Sequence, residues 1–521
     1  MTPVAPPVAN ELAGRVLDAL LREDYGGLAA RVTRSKDGVL LVLPSGRPVR
    51  LGPGGLFQDF AVPPGAAPPL SEVLDAVAGI AGPDGADRAA AFAEECRAAG
   101  RARDLHEERR DGVLARLRAE GPDTLIARET LAAFLDHPVH PTSRARPGLT
   151  DEQLTAYAPE FAPSFPLRWA AVPRDRVTAR GAEPPWWPEP GLFPVHPLAL
   201  PEVRRVPGVE IREVAPPVTV RPTLSMRTVE VGPRTHLKLP LPTSTLGARN
   251  RRSIKPGTLA DGARAEVLLR EVLAREPGLP VLVAGEQTYA EGGHEYLAWM
   301  LRRLPEGEIV PVASLLAPSP GDGPRVLDEV AARYRGGDVR GLLADYLRVL
   351  LRWNVLLFVR YGVALEAHQQ NLALVFGPDG GPRLLVKDND GLLCSPDRLA
   401  GAGLAVPEFA DRRLTAGDPH RLADVFVTIT LHLAAAAVAF GAGHGDLVAE
   451  TLAEALAEHG DHPMARLLRA RTLDAARLVG KSMVGAGTLL DRARVAPDVN
   501  KHYGTSGPNY LRHHLNGEAA R

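Results

Sequence analysis

Two short apolar runs, Leu372-Ala-Leu-Val375 and Arg383-Leu-Leu-Val386, flank the turn-forming stretch Gly377-Pro-Asp-Gly-Gly381. The runs read as two strands and the stretch between them as their turn. A hairpin brings its outer ends together, so Asn371 and Asp388 belong at one end. Polar residues crowd there, with Glu366-Ala-His368-Gln-Gln370-Asn371 on one side and Lys387-Asp388 on the other. An amide oxygen and a carboxylate held together could bind Mg²⁺ carrying a nucleotide triphosphate. The same residues also read as a polar hairpin end at the surface, since short motifs are weak evidence.

The chain has 521 residues, too many for one core, so two or three domains are predicted. A net charge of −1 argues against a general nucleic-acid or polybasic membrane binder, although a local basic pocket is compatible with it. Cys96 and Cys394 are far apart and in no metal-type spacing. That disfavours a disulfide scaffold, a zinc ribbon and a cysteine-ligated iron–sulfur cluster. No signal peptide is evident at the N-terminus. The apolar run Val425–Phe440 is barely long enough to span a bilayer and reads better as a buried helix. The expected location is cytoplasmic, with no membrane or nucleic-acid partner.

Helices are predicted over 10–23, from an N-cap at Ser71 to about Ile80, over 87–119 as one or two exposed segments, and from Asp123 to Leu135. Residues 39–43 and 48–51 read as a hairpin. Prolines are dense from 138 to 222, favouring turns and short strands. Pro222 to Leu241 alternates like a hairpin with Gly232-Pro233 at its turn. Helix dominates again from about 326, with a long apolar helix or two over 340–363 and a bundle over 420–490. Asn500 to Asn516 resembles an ordered cover for a site. The boundaries follow: 1–155, a β-rich 156–325, and a mostly helical 326–521.

Two constellations carry chemistry. The first is His137-Pro-Val-His140-Pro-Thr-Ser-Arg144-Ala-Arg146-Pro-Gly148, where prolines after both histidines stiffen the backbone. Its guanidiniums suit bidentate binding of carboxylate or phosphate. A metal site would lack a nearby third ligand, and a structural turn is the remaining reading. Phe193-Pro-Val-His196-Pro197 is a shorter echo, readable as a packed turn. The second constellation is Ser225-Met-Arg227-Thr228, then Lys238, then Thr245 and Arg249. In a strand Ser225 and Arg227 share a face, and Lys238 reaches it from the return strand. Thr245 and Arg249 align if a helical turn starts there. These cations and hydroxyls describe a triphosphate or polycarboxylate site. No glycine-rich phosphate loop is present.

In this order the motifs resemble the NRPS-independent siderophore synthetases, the aerobactin-synthetase family, with one residue fewer between Lys238 and Thr245 than that family has. That family's His-Pro-x-His-Pro-x-x-Lys-x-Arg-x-Gly is similar to His137–Gly148, with Arg144 in place of Lys. Its Ser-x-Arg-Thr is similar to Ser225–Thr228, and its Thr-x-x-x-Arg to Thr245–Arg249. Its Glu-x-His-x-Gln-Asn is similar to Glu366–Asn371, and its Arg-Asp to Lys387-Asp388. Leu198-Ala199 stand where the family often has an aromatic residue and Gln. The resemblance implies an α+β, three-part hand-like fold of thumb, fingers and palm. It implies a ligase that activates citrate or a derived acid as an acyl-adenylate, with AMP and pyrophosphate released. An amine, hydroxylamine or alcohol then takes the acyl group.

The resemblance further implies that Ser225, Arg227, Thr228, Lys238 and Arg249 hold ATP, joined by Gln370 and Asn371. It has Arg249, Thr245 and His368 orient the acid, counts Lys238 with them as catalytic, and has Asp388, Asn371 and Glu366 serve Mg²⁺. His137 and Arg144 are expected to close over the nucleotide from the first domain. A homodimer is common in the family. The C-terminal part of the family is also likened to ferric-iron reductases, which the cysteine count opposes. A kinase-like phosphotransferase is the alternative, though Gln369 and Gln370 stand where a catalytic Asp would be expected. A non-catalytic binding protein is a third class.

Overall fold

The computed structural model describes residues 8–36, 38–320, 324–378 and 380–512. The first helix, Val8–Arg22, forms because Leu12, Val16, Leu17 and Leu20 recur at helical spacing and bury together. It meets the helix Leu70–Ala81 and the single 35-residue helix Ala86–Glu120 in one apolar cluster with Val73, Val77, Phe92 and Cys96. Two details differ from expectation. Ser71 lies in the first turn of its helix, which starts after Pro69 without a side-chain cap. The long helix is not simply exposed, because Ala89, Phe92, Cys96, Ala99 and Ala102 bury along it. The predicted hairpin pairs Val39 with Leu51 inside a four-stranded antiparallel sheet. The helix predicted at 123–135 is Leu125–Ala132, capped by Thr124 accepting the Ala127 amide.

The middle of the chain builds a seven-stranded antiparallel sheet. Its order is Phe165–Pro166, Thr219–Pro222, Thr228–Gly232, Thr235–Lys238, Leu297–Arg303, Gly285–His294, Thr178–Arg180. Trp169, Trp187, Phe193 and Trp299 fill the core between this sheet and a three-stranded one. The chain then passes from Val281–Val283 into Gly285–His294, which joins this sheet to the next. Val281–Val283 runs parallel to Pro382–Val386 in a four-stranded sheet with Leu372–Phe376 and Glu308–Pro311. The predicted hairpin is present, with Leu372 opposite Val386; Asp379 of its turn lies outside the described residues.

Helix Val339–Leu356 packs on this sheet, and the helical run Pro419–Gly441 sits in the same core. That run is long and apolar enough to cross a membrane, but Val427, Leu431, Ala434 and Ala435 are fully enclosed by protein. An all-round apolar surface is what a central core helix requires. The strands Arg477–Lys481 and Tyr503–Pro508 pair at the C-terminal end, and residues 513–516 of the expected cover lie outside the described residues. The whole is α+β, 44% helical and 21% strand, so neither element type alone makes the core.

Two predicted local structures are corrected. Ser225 and Arg227 do not share a strand; residues 223–227 form a tight turn. The Thr223 amide and hydroxyl both donate to the Thr228 carbonyl, and Met226 takes a left-handed φ of 63°. Thr245 and Arg249 do not share a helical turn. Leu246 and Gly247 have φ of 56° and 110°, and the Asn250 amide closes back onto the Gly247 carbonyl. Such angles end a helix for any L-residue.

Candidate active site

A cavity of about 900 Å³ gathers segments from the whole length of the chain. Its lining runs from the 136–146 loop and the 224–227 turn through Lys238 and the 245–255 loop. It continues through 366–371 and 388–391 to Lys481 and residues 497–501. Lysines and arginines outnumber carboxylates in that lining.

One part of the wall is a paired network. Lys238, 2% exposed, donates to Asp388 Oδ1 at 2.5 Å and Asp390 Oδ2 at 3.1 Å. Arg302 donates to the same Asp388 oxygen at 3.1 Å and to Glu286 at 2.5 Å. Glu286 in turn accepts the amides of Asp388 and Asn389, fixing Asp388 at a φ of 67°. Burial opposes the charge of Asp388, yet Lys238, Arg302 and Arg227 hold its carboxyl well below the usual carboxylate range.

A second part of the wall carries cations with no such partner. Among the described residues Arg227 donates to the carbonyls of Arg252 and Ser253, at 3.4 and 3.3 Å. The Arg252 Nε is buried without a hydrogen-bond partner, and burial and then Arg227 push its guanidinium down to about 9. Lys481 is lowered by burial, against the pull of Glu366 and Asp498. Among the described residues no carboxylate lies within 4 Å of Arg227, Arg252 or Lys481. Cations that face a cavity without a contacting carboxylate favour a polyanionic ligand there.

The predicted residues fall into distinct groups. Ser225, Arg227, Lys238, Thr245, Arg249, Glu366, His368, Gln370, Asn371 and Asp388 all line the cavity. Thr228 does not. It is buried, and its amide donates to Ser225 Oγ, so it shapes the turn instead. Arg249 spends two donors on the Ala486 and Leu490 carbonyls, at 2.8 and 2.6 Å, leaving its other N–H groups for a ligand. His368 is held down to about 4 by burial and then Lys481, so it is neutral near pH 7.

Asp388, Asn371 and Glu366 do not form a ready metal cage. Among the described residues no group of three or more His, Cys, Asp or Glu is placed to hold a metal. Asn371 Nδ2 donates to the Glu366 carbonyl, and the Glu366 carboxylate stands 3.9 Å from Lys501. The paired oxygens are instead those of Asp388 and Asp390. Two carboxylates suit Mg²⁺ arriving with phosphates, which keeps few protein ligands.

The histidine loop also differs from expectation. His137 Nδ1 accepts the Val139 and His140 amides, so its proton sits on Nε2. Arg144 lines the cavity, but its guanidinium is committed to Asp136, His106 and the Phe134 carbonyl. Arg144 therefore ties the loop to the protein, in place of the free phosphate-reaching cation expected. Lys387 turns away to Glu129, whose other oxygen accepts the Leu224 amide; this pair braces the 224–227 turn. His196 is fully buried, its Nδ1 accepting the Leu198 amide, so the shorter echo is a packed turn.

Four contributors escaped the sequence reading. Arg252 and Asp390 had local signals, in the run Arg249-Asn-Arg-Arg252 and in Asp388-Asn-Asp390. Arg302, beside Arg303, and Lys481, at the end of its strand, had none; tertiary structure brings each to the site.

Comparison with known proteins places this geometry. Residues 124–191 and 190–317 match the IucA / IucC family, and residues 342–497 match the ferric iron reductase FhuF-like transporter family. The chain is thus similar to the IucA / IucC family over residues 124–317. Among curated relatives, the uncharacterized protein y4xN of Sinorhizobium fredii is 29% identical over 353 residues, 55% of each chain. Staphyloferrin A synthase of Staphylococcus aureus is 26% identical over 298 residues, 49% of this chain and 51% of that one. The chain spans about half the length of the curated relatives it matches.

The fold is that of petrobactin biosynthesis protein AsbB from Bacillus anthracis, with a TM-score of 0.76 and 16% identity over 98% of this chain and 97% of that one. ATP-bound aerobactin synthetase IucA from Klebsiella pneumoniae gives 0.68 and 19% over 96% and 99%. In the FhuF-matching part Cys394 is buried, as is Cys96 elsewhere, and neither is paired.

Proposed function

We propose that this protein is an ATP-dependent ligase of siderophore assembly. In this reading it adenylates a carboxylate of citrate or a citrate-derived acid and passes the acyl group to an amine, hydroxylamine or alcohol. The observation that carries the reading is the set of unpaired cations Arg227, Arg252 and Lys481 in one cavity with the paired Lys238–Asp388 network. A cavity of about 900 Å³ has room for a nucleotide beside a small acid.

Ser225, Arg227, Arg252 and Lys238 hold the phosphates, with Gln370 and Asn371 nearby. Asp388 and Asp390 are the residues that would hold Mg²⁺, which neutralises phosphate charge when bound. Arg249, Thr245, Lys481 and the neutral His368 orient the acid. A carboxylate oxygen then attacks the α-phosphorus and pyrophosphate leaves; the nucleophile attacks the acyl carbon and AMP leaves. Fixed cations around developing negative charge, together with positioning, provide the acceleration. The 497–501 segment lines the cavity and limits water there. A cytoplasmic location and the thumb, fingers and palm division at 155 and 325 are part of this reading.

The test is a pyrophosphate-release screen over acids and amines, with mass spectrometry of the products. AMP plus pyrophosphate with an amide or ester product supports a ligase. ADP with a phosphorylated product would instead assign a phosphotransferase.

A further inference from the structure

Glu23 follows the first helix and is far from the cavity in sequence, yet it controls the segment that presents Lys481. Its carboxylate is 3% exposed. Oε1 accepts the amides of Met483 and Val484 at 2.8 and 3.0 Å. Oε2 accepts the Gly485 amide and the Ser482 hydroxyl, both at 2.7 Å. Four donors on four successive residues thus converge on one side chain. Lys481 immediately precedes them, at the end of the strand Arg477–Lys481, with its ammonium in the cavity.

The other side of the same segment is held by the 247–249 loop. Arg249 donates its guanidinium to the Ala486 and Leu490 carbonyls and its amide to the Gly487 carbonyl. Ala248 donates its amide to Thr488 Oγ1 at 3.1 Å. The backbones touch at Gly247 and Gly487, where a Cβ on Gly247 would fall 2.7 Å from Gly487 Cα. One short segment, 481–490, therefore carries Lys481 and fixes Arg249, while its amides are held by Glu23 just after the N-terminal helix.

We propose that Glu23 is a positioning residue for the acid subsite, locking residues 482–485 so that the Lys481 ammonium and the Arg249 guanidinium face the same ligand. This deepens the ligase reading and rests on it only for its kinetic arm. The chemistry demands a carboxylate. Gln at 23 has one acceptor oxygen, and its NH₂ would face N–H and O–H donors. Asp keeps the charge with a shorter reach. The charged and titratable groups facing Lys481 are Glu366, Asp498, Lys501 and Glu23, with His137, His140 and His368 from other elements.

The experiment compares wild type, Glu23→Gln and Glu23→Asp in two readouts. The first is competitive acetylation of Lys481 by acetic anhydride across pH, read by peptide mass spectrometry. Wild-type Lys481 is expected to titrate below an ordinary lysine. Glu23→Gln removes a carboxylate that raises Lys481, so its titration should move lower still, while release of the 482–485 segment should speed labelling of the neutral amine at high pH; Glu23→Asp should retain most of the wild-type behaviour. The second is acid-dependent pyrophosphate release with citrate. Glu23→Gln should raise the KM for citrate roughly tenfold while the KM for ATP stays within about twofold. Unchanged high-pH labelling of Lys481 in the Gln variant would overturn the proposal. So would a uniform loss in both KM values and kcat that tracks a lowered Tm. If wild type releases no pyrophosphate with any acid, the ligase reading fails, and the labelling arm still decides the role of Glu23.

Discussion

The two parts of the cavity wall contrast in how their charges are satisfied. Lys238, Asp388, Arg302 and Glu286 neutralise one another in a continuous buried chain. Arg227, Arg252 and Lys481 face the same space with no carboxylate within 4 Å among the described residues. The paired part builds geometry that exists before a ligand arrives. The other part leaves its cations without a contacting carboxylate, where an anionic ligand would fit. Removing a member of each should therefore have opposite effects on stability and similar effects on turnover.

The largest effect is expected from Lys238→Met. It leaves Asp388 and Asp390 facing each other without their shared cation. Breaking a buried pair costs on the order of 3–5 kcal/mol, so urea unfolding should shift strongly and activity should vanish. Next is Arg252→Met, which should lower kcat/KM by roughly 10²–10³-fold, the scale of losing one oriented donor in a closed site. Its Tm without ligand should stay level or rise, because a buried cation beside Arg227 has been removed. A fall in stability like that of Lys238→Met would erase the contrast between the two parts.

Arg144→Ala sharpens the same distinction at the histidine loop. With three protein partners, its loss should appear as about 1–3 kcal/mol of stability, from buried groups left unpaired. Arg144→Lys should rescue little, since an ammonium cannot copy the planar fork that reaches Asp136, His106 and Phe134 together. Kinetic change without a melting change would return Arg144 to the ligand.

A further expected effect is on pH dependence. His140 and His196 are fully buried, and burial lowers both to about 3. Unfolding lets them take protons at an ordinary histidine value near 6.5. Their contribution to stability is thus complete above about pH 6.5 and declines as pH falls toward 3. Urea midpoints measured from pH 7 to pH 4 should decline less in a His196→Leu variant. An identical decline would exclude this site as a source.

The same pair of loops shows what the sequence could and could not reveal. His137-Pro-Val-His140-Pro and Pro194-Val-His196-Pro read almost alike, yet one lines the cavity and the other fills a core with Tyr157 and Phe165. Local stiffness was legible; the surroundings were not. The 372–386 hairpin was legible because its alternation and turn are local. Ser225 and Arg227 were placed on the right site through the wrong structure, since the left-handed Met226 has no sequence signal of the kind glycine gives. Lys387 looked like part of the site and instead braces a turn through Glu129, a partner 258 residues away in sequence. Lys481 and Arg302 were missed because a cation on a strand says nothing of where it points until the sheets assemble.

The most direct measurement uses citrate labelled with ¹⁸O in its carboxylates, incubated with ATP, Mg²⁺, an accepting amine and the wild-type protein. If a carboxylate oxygen attacks the α-phosphorus, the AMP released after acyl transfer carries one ¹⁸O, and the pyrophosphate carries none. Label-free AMP, or label found in a phosphate ester alongside ADP, would contradict the account.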